Sequence, residues 1–180
     1  MTSCRASNLF SLAIRLICLA VFSSPFSHTS FAADAPADKH ESAADWKPVA
    51  DAVGAAGELK DHVYTITIPR TDLDVEIEGM LIPAGAGLAH RFHFFICPCG
   101  KTILVGEFCV PEYEANDVID ALRAGAILRV GSASNLFVGD RPKMMAVRFQ
   151  GEGDGVQMAK LLKEALRWTG EARNRKAPAP

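Results

Sequence analysis

The stretch FHFFICPCGKTILVGEFCVPEYEANDVIDALRAG, residues 92–125, decides the fold. Phe92 to Cys97 and Thr102 to Val110 alternate between two classes of side chain, with the period of two that a strand packed on a core requires. Pro98-Cys99-Gly100-Lys101 between them suits a hairpin turn. The period then changes. Ala115, Val118, Ile119 and Leu122 follow the i, i+3, i+4, i+7 spacing of one helix face. Pro111 fits the first helical position, Glu112 and Glu114 the positive end of the helix dipole, Arg123 the last turn and Gly125 the stop. A hairpin that runs straight into an amphipathic helix predicts a sheet with a helix laid across it.

The same logic extends in both directions. Towards the N-terminus, Val63 to Ile68 and Leu73 to Leu81 alternate as strands, and Pro83 to Gly87 reads as a turn. Trp46, Val49, Ala50 and Val53 share one face of a short helix, with Asp45 as N-cap and Gly54 past its end. Towards the C-terminus come a short strand at Ala126–Val130, a loop at Gly131–Arg141 and a strand at Lys143–Gln150. Asp154 with Gln157 makes a capping signal for a last helix, which buries Met158, Leu162, Ala165 and Leu166 and stops at Gly170. The order predicts a single α+β domain over 45–170, a mainly antiparallel sheet with helices on one face.

The ends carry a different message. Arg5 and Arg15 are the only charges before Asp34, and apolar runs from Leu9 to Ile14 and from Leu16 to Phe22 follow them. Ser30-Phe31-Ala32 then places small residues where a signal peptidase reads. Together these predict a signal peptide over 1–32, cleaved after Ala32, and hence a periplasmic or secreted protein with no transmembrane anchor after cleavage. Residues 33–44 read as a flexible linker and 171–180 as a disordered tail. Cleavage leaves 17 Lys+Arg against 21 Asp+Glu and moves the formal charge from −2 to −4. An acidic domain without clustered Lys and Arg is a poor nucleic-acid binder. The partners that remain are a small ligand or an envelope protein. Of the five cysteines, Cys4 and Cys18 leave with the signal. Cys97, Cys99 and Cys109 remain, an odd number for an oxidising compartment.

Alternation sorts the strand residues onto two faces. Phe92, Phe94, Ile96, Leu104, Phe108, Val110, Leu128, Val130, Met145, Val147 and Phe149 form the apolar set that faces the helices. His93, Phe95, Cys97, Glu107, Cys109, Arg129, Arg148 and Gln150 form the opposite set. An ordinary solvated face is one reading of that set. Three chemistries compete with it. Cys97, Cys99 and His93 are soft-metal ligands suited to copper or zinc, with His90 or Cys109 as a fourth, in a metal-binding protein or a metal-dependent enzyme. Cys97 and Cys99 also raise thiol redox chemistry, although Cys-Pro-Cys-Gly is not C-x-x-C and no helix N-terminus follows to lower a thiol pKa. Glu107, Arg129 and Arg148 suit recognition of a polar ligand by planar guanidinium forks. No nucleophile elbow and no phosphate loop is present, and no cofactor is expected other than the copper or zinc ion of the metal reading.

From Asp45 to Gly170 the chain resembles the LppY/LpqO family of exported bacterial domains. The matching pieces are Tyr64, Pro69-Arg70, Asp72-Leu73, Val75 and Gly79; Val105-Gly106-Glu107; Glu112, Glu114, Asn116, Val118-Ile119 and Ala121-Leu122; Arg141-Pro142-Lys143-Met144; and Gly151, Gly153-Asp154. Members carry a His-Asn-His triplet, an acidic residue before a proline and a later histidine, a constellation that looks like a metal or catalytic site. Here Ser134-Asn135-Leu136 stand at the triplet, Asp140 at the acidic position and Arg148 at the later histidine. Leucine cannot ligate a metal and a permanent cation repels one. The resemblance therefore implies a non-catalytic binding or accessory domain, with Glu107, Ser134, Asn135, Asp140 and Arg148 in its ligand-binding set, to which the shared strand face adds Arg129. It also suggests that Arg148 fills the place of the lost cation and pairs with Glu107 or with an anionic ligand.

Overall fold

The computed structural model describes residues 45–170. The expected signal peptide (1–32), linker (33–44) and tail (171–180) lie outside the described residues. Within them the chain is an α+β domain. Helix α1 spans Lys47–Val53, α2 Glu112–Arg123 and α3 Gly155–Leu166. The strands are β1 Glu58–Lys60, β2 Val63–Pro69, β3 Glu76–Ile77, β4 Met80–Leu81, β5 Ala89–Ile96, β6 Thr102–Pro111, β7 Leu128–Asn135, β8 Asp140–Arg141 and β9 Met144–Gly153. Six of them form an antiparallel sheet in the order β1-β2-β5-β6-β9-β7, and three form a small sheet in the order β4-β3-β8.

The helices cover one face of the large sheet. Phe92, Phe94, Leu104, Phe108 and Val147 are fully buried there with Val118 and Leu122 of α2 and Met158 and Leu162 of α3. Burying side chains of this size stabilises each by roughly 1.5–3 kcal/mol. Gly106 makes the packing possible at the centre, because a Cβ there would collide with the Phe149 ring. Helix α3 starts as its sequence requires: the Asp154 carboxylate accepts from the Gln157 N–H at 2.8 Å. At α1 the cap sits one residue out, with Asp45 accepting from the Lys47 N–H and Trp46 in the N-cap position.

Four expectations need correction. Leu73–Leu81 is not one strand: Glu78 and Gly79 both adopt positive φ, 52° and 79°, and fold 76–81 into a two-residue hairpin. Strand β7 does not stop at Val130. A register shift between Val130 and Ser132 lets it continue to Asn135 beside β9. Ile96 lies beyond the helices and is 40 % exposed. Cys109, assigned to the open face, is fully buried. Its end of that face is sealed by a second cluster of Val75, Leu88, Cys109 and Met144, with Leu73, Ile82, Leu136 and Phe137 around it.

A buried ionic network joins these layers. Arg70, 3 % exposed, follows β2. Its Nε and Nη2 donate to the two oxygens of Asp72 at 2.8 and 2.9 Å. Nη1 and Nη2 donate to the two oxygens of Glu114 in α2 at 2.9 and 3.2 Å. Nη1 also reaches the Cys109 carbonyl at 2.9 Å. All five guanidinium donors are thus used. Glu114 accepts in addition from the Gly170 N–H, beyond α3, at 2.9 Å. Burial alone opposes the Arg70 charge, but the bonds and charges of Asp72 and Glu114 outweigh it and leave its pKa above the ordinary value. The same hydrogen bonds hold the Asp72 carboxyl below the usual range. Beside them His90 is buried, and its Nδ1 accepts from the Cys109 N–H at 3.2 Å. Burial, reinforced by the Arg70 charge, pushes its pKa down to about 3.

Arg70→Met should lower unfolding free energy by about 3–5 kcal/mol, because it strands two carboxylates. Arg70→Lys, which keeps the charge but not the fork, should fall between it and the native chain in urea titrations. Folded His90 stays neutral down to about pH 3, whereas an ordinary imidazole protonates near 6.5. Its contribution is complete above the higher value and is lost as pH falls towards the lower one, with a slope approaching about 1.4 kcal/mol per pH unit. His90→Gln, which keeps an acceptor for the Cys109 N–H, should flatten stability between pH 6 and 4. An unchanged slope would show that another group governs the acid limb.

Candidate ligand-binding face

The open part of the large sheet begins where the small sheet's cover ends. Antiparallel pairing lines up residues across five strands there. Thr67 lies opposite Arg91, Arg91 opposite Glu107, Glu107 opposite Arg148 and Arg148 opposite Ser132. The adjacent row runs Thr65, His93, Val105, Gln150 and Arg129. Directly opposed residues on neighbouring strands bring their Cβ atoms within about 4.5–5.5 Å. Arg91 and Arg148 therefore stand on the strands either side of Glu107.

Arg148 donates from Nε to Glu107 Oε2 at 2.8 Å. Its side chain is 61 % exposed and that of Glu107 only 19 %. The bond uses one donor and leaves both Nη nitrogens for another acceptor. Arg91 and Arg129 have no ion-pair partner among the described residues. Next to this group a cavity of about 160 Å³ is lined by Ile103, Val105, Arg129, Gln150, Gly151 and Glu152. Its lining mixes the apolar Ile103 and Val105 with Gln150 and with the opposite charges of Arg129 and Glu152, which attract each other.

The other named residues separate. Ser134 lies two residues beyond Ser132 on exposed β7, opposite Ala146, and so shares the Arg148 face. Asn135 alternates to the other side. Asp140 is 9 % exposed, and its carboxylate accepts from the Met144 N–H at 2.5 Å, which holds the turn between β8 and β9. His93 Nδ1 lies 3.0 Å from Thr65 Oγ1. Cys97 and Cys99 are joined in a disulfide, so neither sulfur is a thiolate in this state. Among the described residues no three His, Cys, Asp or Glu side chains converge as a metal site.

Sequence reasoning missed Arg91, although it precedes Phe92 by one position and therefore lies on the His93 face; its alternation was the available signal. A second cavity of about 360 Å³ touches Arg70, Asp72, His90 and Thr169. Its guanidinium has no free donor, so its polar groups serve the fold.

Because the Arg148–Glu107 pair is exposed on one side, it should contribute under about 1 kcal/mol. Arg148→Ala should leave the urea midpoint nearly unchanged. A loss above about 2 kcal/mol would make the pair structural. Neither a search of curated proteins nor one of solved structures returns a match. Residues 47–168, from the start of α1 to just past α3, match the profile of the family described as Domain of Unknown Function (DUF1259), and the chain belongs to that family.

Proposed function

We propose that this is an exported, non-catalytic binding or accessory domain that takes a small anionic ligand on the open sheet face, and that within its family it stands with the LppY/LpqO proteins. The observation that carries the reading is the Arg91–Glu107–Arg148 row, with Arg129 beside it. Arg91 and Arg148 stand on the strands either side of Glu107, and Arg129 lies in the adjacent row with Glu152 beside it. Three guanidiniums thus outnumber two carboxylates, and the group retains positive charge and free planar donors in an otherwise acidic chain. An anion with two oxygens in one plane satisfies Arg148 through the donors that Glu107 does not use.

Two features support the coarser parts of the reading. A disulfide between Cys97 and Cys99 suits an oxidising compartment, where an exported domain would work. Leu136 and Arg148 stand where LppY/LpqO members have histidines, and neither can take part in proton transfer near neutral pH. Among the described residues no helix is long and apolar enough to cross a membrane.

Titration of isotope-labelled protein with citrate and, separately, with inorganic phosphate tests the site and sorts carboxylate from phosphate recognition. Amide shifts should centre on β5, β6 and β9 around residues 91, 107 and 148. Arg148→Ala should weaken binding at least tenfold and Arg129→Ala clearly less. Equal, negligible effects of the two substitutions would overturn the proposal.

A further inference from the structure

The β5–β6 hairpin carries a separate chemistry at its tip. Cys97 and Cys99 are disulfide-bonded across one intervening proline, with Cα atoms 5.1 Å apart. Cys99 and its neighbours Pro98 and Gly100 are exposed, while Cys97 is half-buried. The turn is closed by the backbone itself: the Cys97 N–H donates to the Lys101 carbonyl at 2.9 Å, and the Gly100 N–H donates to the Cys97 carbonyl at 2.8 Å. The Cys99 N–H points at the Cys97 Sγ from 3.2 Å.

We propose that the Cys97–Cys99 disulfide is a thiol–disulfide exchange site that accepts two electrons from a pair of cysteine thiols on another protein. Exposure separates such a bond from the buried disulfides that only brace a fold. Closing a loop of sequence separation two constrains the unfolded chain little, so the fold does not depend on the bond being intact. The turn's own hydrogen bonds hold the two sulfurs near each other in either redox state. Ile96, 40 % exposed beside the tip, offers an apolar contact for an extended partner segment.

The exposures set the order of events. A partner thiolate attacks Cys99 Sγ, the open sulfur. The Cys97–Cys99 bond breaks, a mixed disulfide forms at Cys99, and Cys97 leaves as a thiolate that takes up a proton. The Cys99 N–H donates to that departing sulfur, which is the service a helix N-terminus performs at a C-x-x-C site. The partner's second thiolate then attacks its own sulfur in the mixed disulfide and expels the Cys99 thiolate, which takes the second proton. Two partner thiols become one disulfide, and the protein's disulfide becomes a dithiol. Cys109 takes no part: it is fully buried, and burial pushes its thiol pKa up to about 11.

The test uses the full oxidised chain at pH 7.5 without denaturant, incubated with a synthetic two-cysteine peptide or with glutathione, then alkylated and weighed by mass spectrometry. The dithiol peptide should reduce Cys97 and Cys99 within minutes, with one equivalent of peptide disulfide formed and Cys109 unlabelled. Glutathione should react at least tenfold more slowly. In glutathione disulfide, Cys97→Ser should hold a lasting adduct at Cys99, and Cys99→Ser at least tenfold less at Cys97. A disulfide that opens only after denaturant is added would be a structural clasp and would overturn the proposal. Equal rates with glutathione would overturn the protein-thiol assignment, and equal adducts in the two variants would overturn the order of attack.

Discussion

One guanidinium sets the geometry of this domain. Arg70 spends all five donors on Asp72, Glu114 and the Cys109 carbonyl. Those acceptors belong to the segment after β2, the first turn of α2 and the end of β6. Through Glu114 the network also holds Gly170, beyond α3. A desolvated charge tolerates no slack, since losing one partner exposes the full desolvation penalty of the others. The network therefore fixes where α2 enters and where α3 ends relative to the sheet. The Glu114 carboxylate sits in the first turn of α2, where the helix dipole also favours it.

That clamp occupies one end of the sheet, and it leaves the two faces unequal. On the helix side the apolar core is continuous. On the other side the segment from Leu73 to Leu88 and the residues around Phe137 cover only the end that holds Cys109 and Met144. The next row, Arg91 to Ser132, emerges at the edge of this cover. Its side chains are held in register by long paired strands and not by loops. The backbone positions on such a surface are pre-set, since the Glu107 and Arg148 Cα atoms cannot separate without breaking the ladder between β6 and β9.

What the sequence disclosed follows from how far each interaction reaches. Period-two and period-3.6 patterns come from local geometry, so the long strands, α2 and α3 were legible, and with them the shared face of Glu107 and Arg148. Alternation sorts side chains by face but is silent on what covers the face. Cys109 was misplaced for that reason. The bulge at Gly131 shifts parity by one residue, so the polar run after it looks like a loop although it stays paired. In the hairpin at 76–81, only the Glu78-Gly79 pair marks the reversal. Arg70 and Glu114 meet across 44 residues. Each alone reads as an ordinary surface charge, one beside a turn and one in a first helical turn, and no local pattern signals that they are buried together.

The charges of the open row give the final constraint. Arg91 and Arg148 flank the same strand, so their backbones are about 10 Å apart, near one Debye length at physiological salt. Glu107 between them neutralises one cation and not both. A histidine at position 148 would shed its charge near neutral pH and could accept a proton or a metal. An arginine there does neither. It keeps the site cationic at every physiological pH, presents a planar fork, and makes acid–base work impossible at that atom. The arginine thus leaves positive charge and unused planar donors exposed at the surface of the row. The fold meets its own buried charge in full at Arg70 and leaves this exposed one half-met, and that contrast separates the charge that holds the structure from the charge left open at its surface.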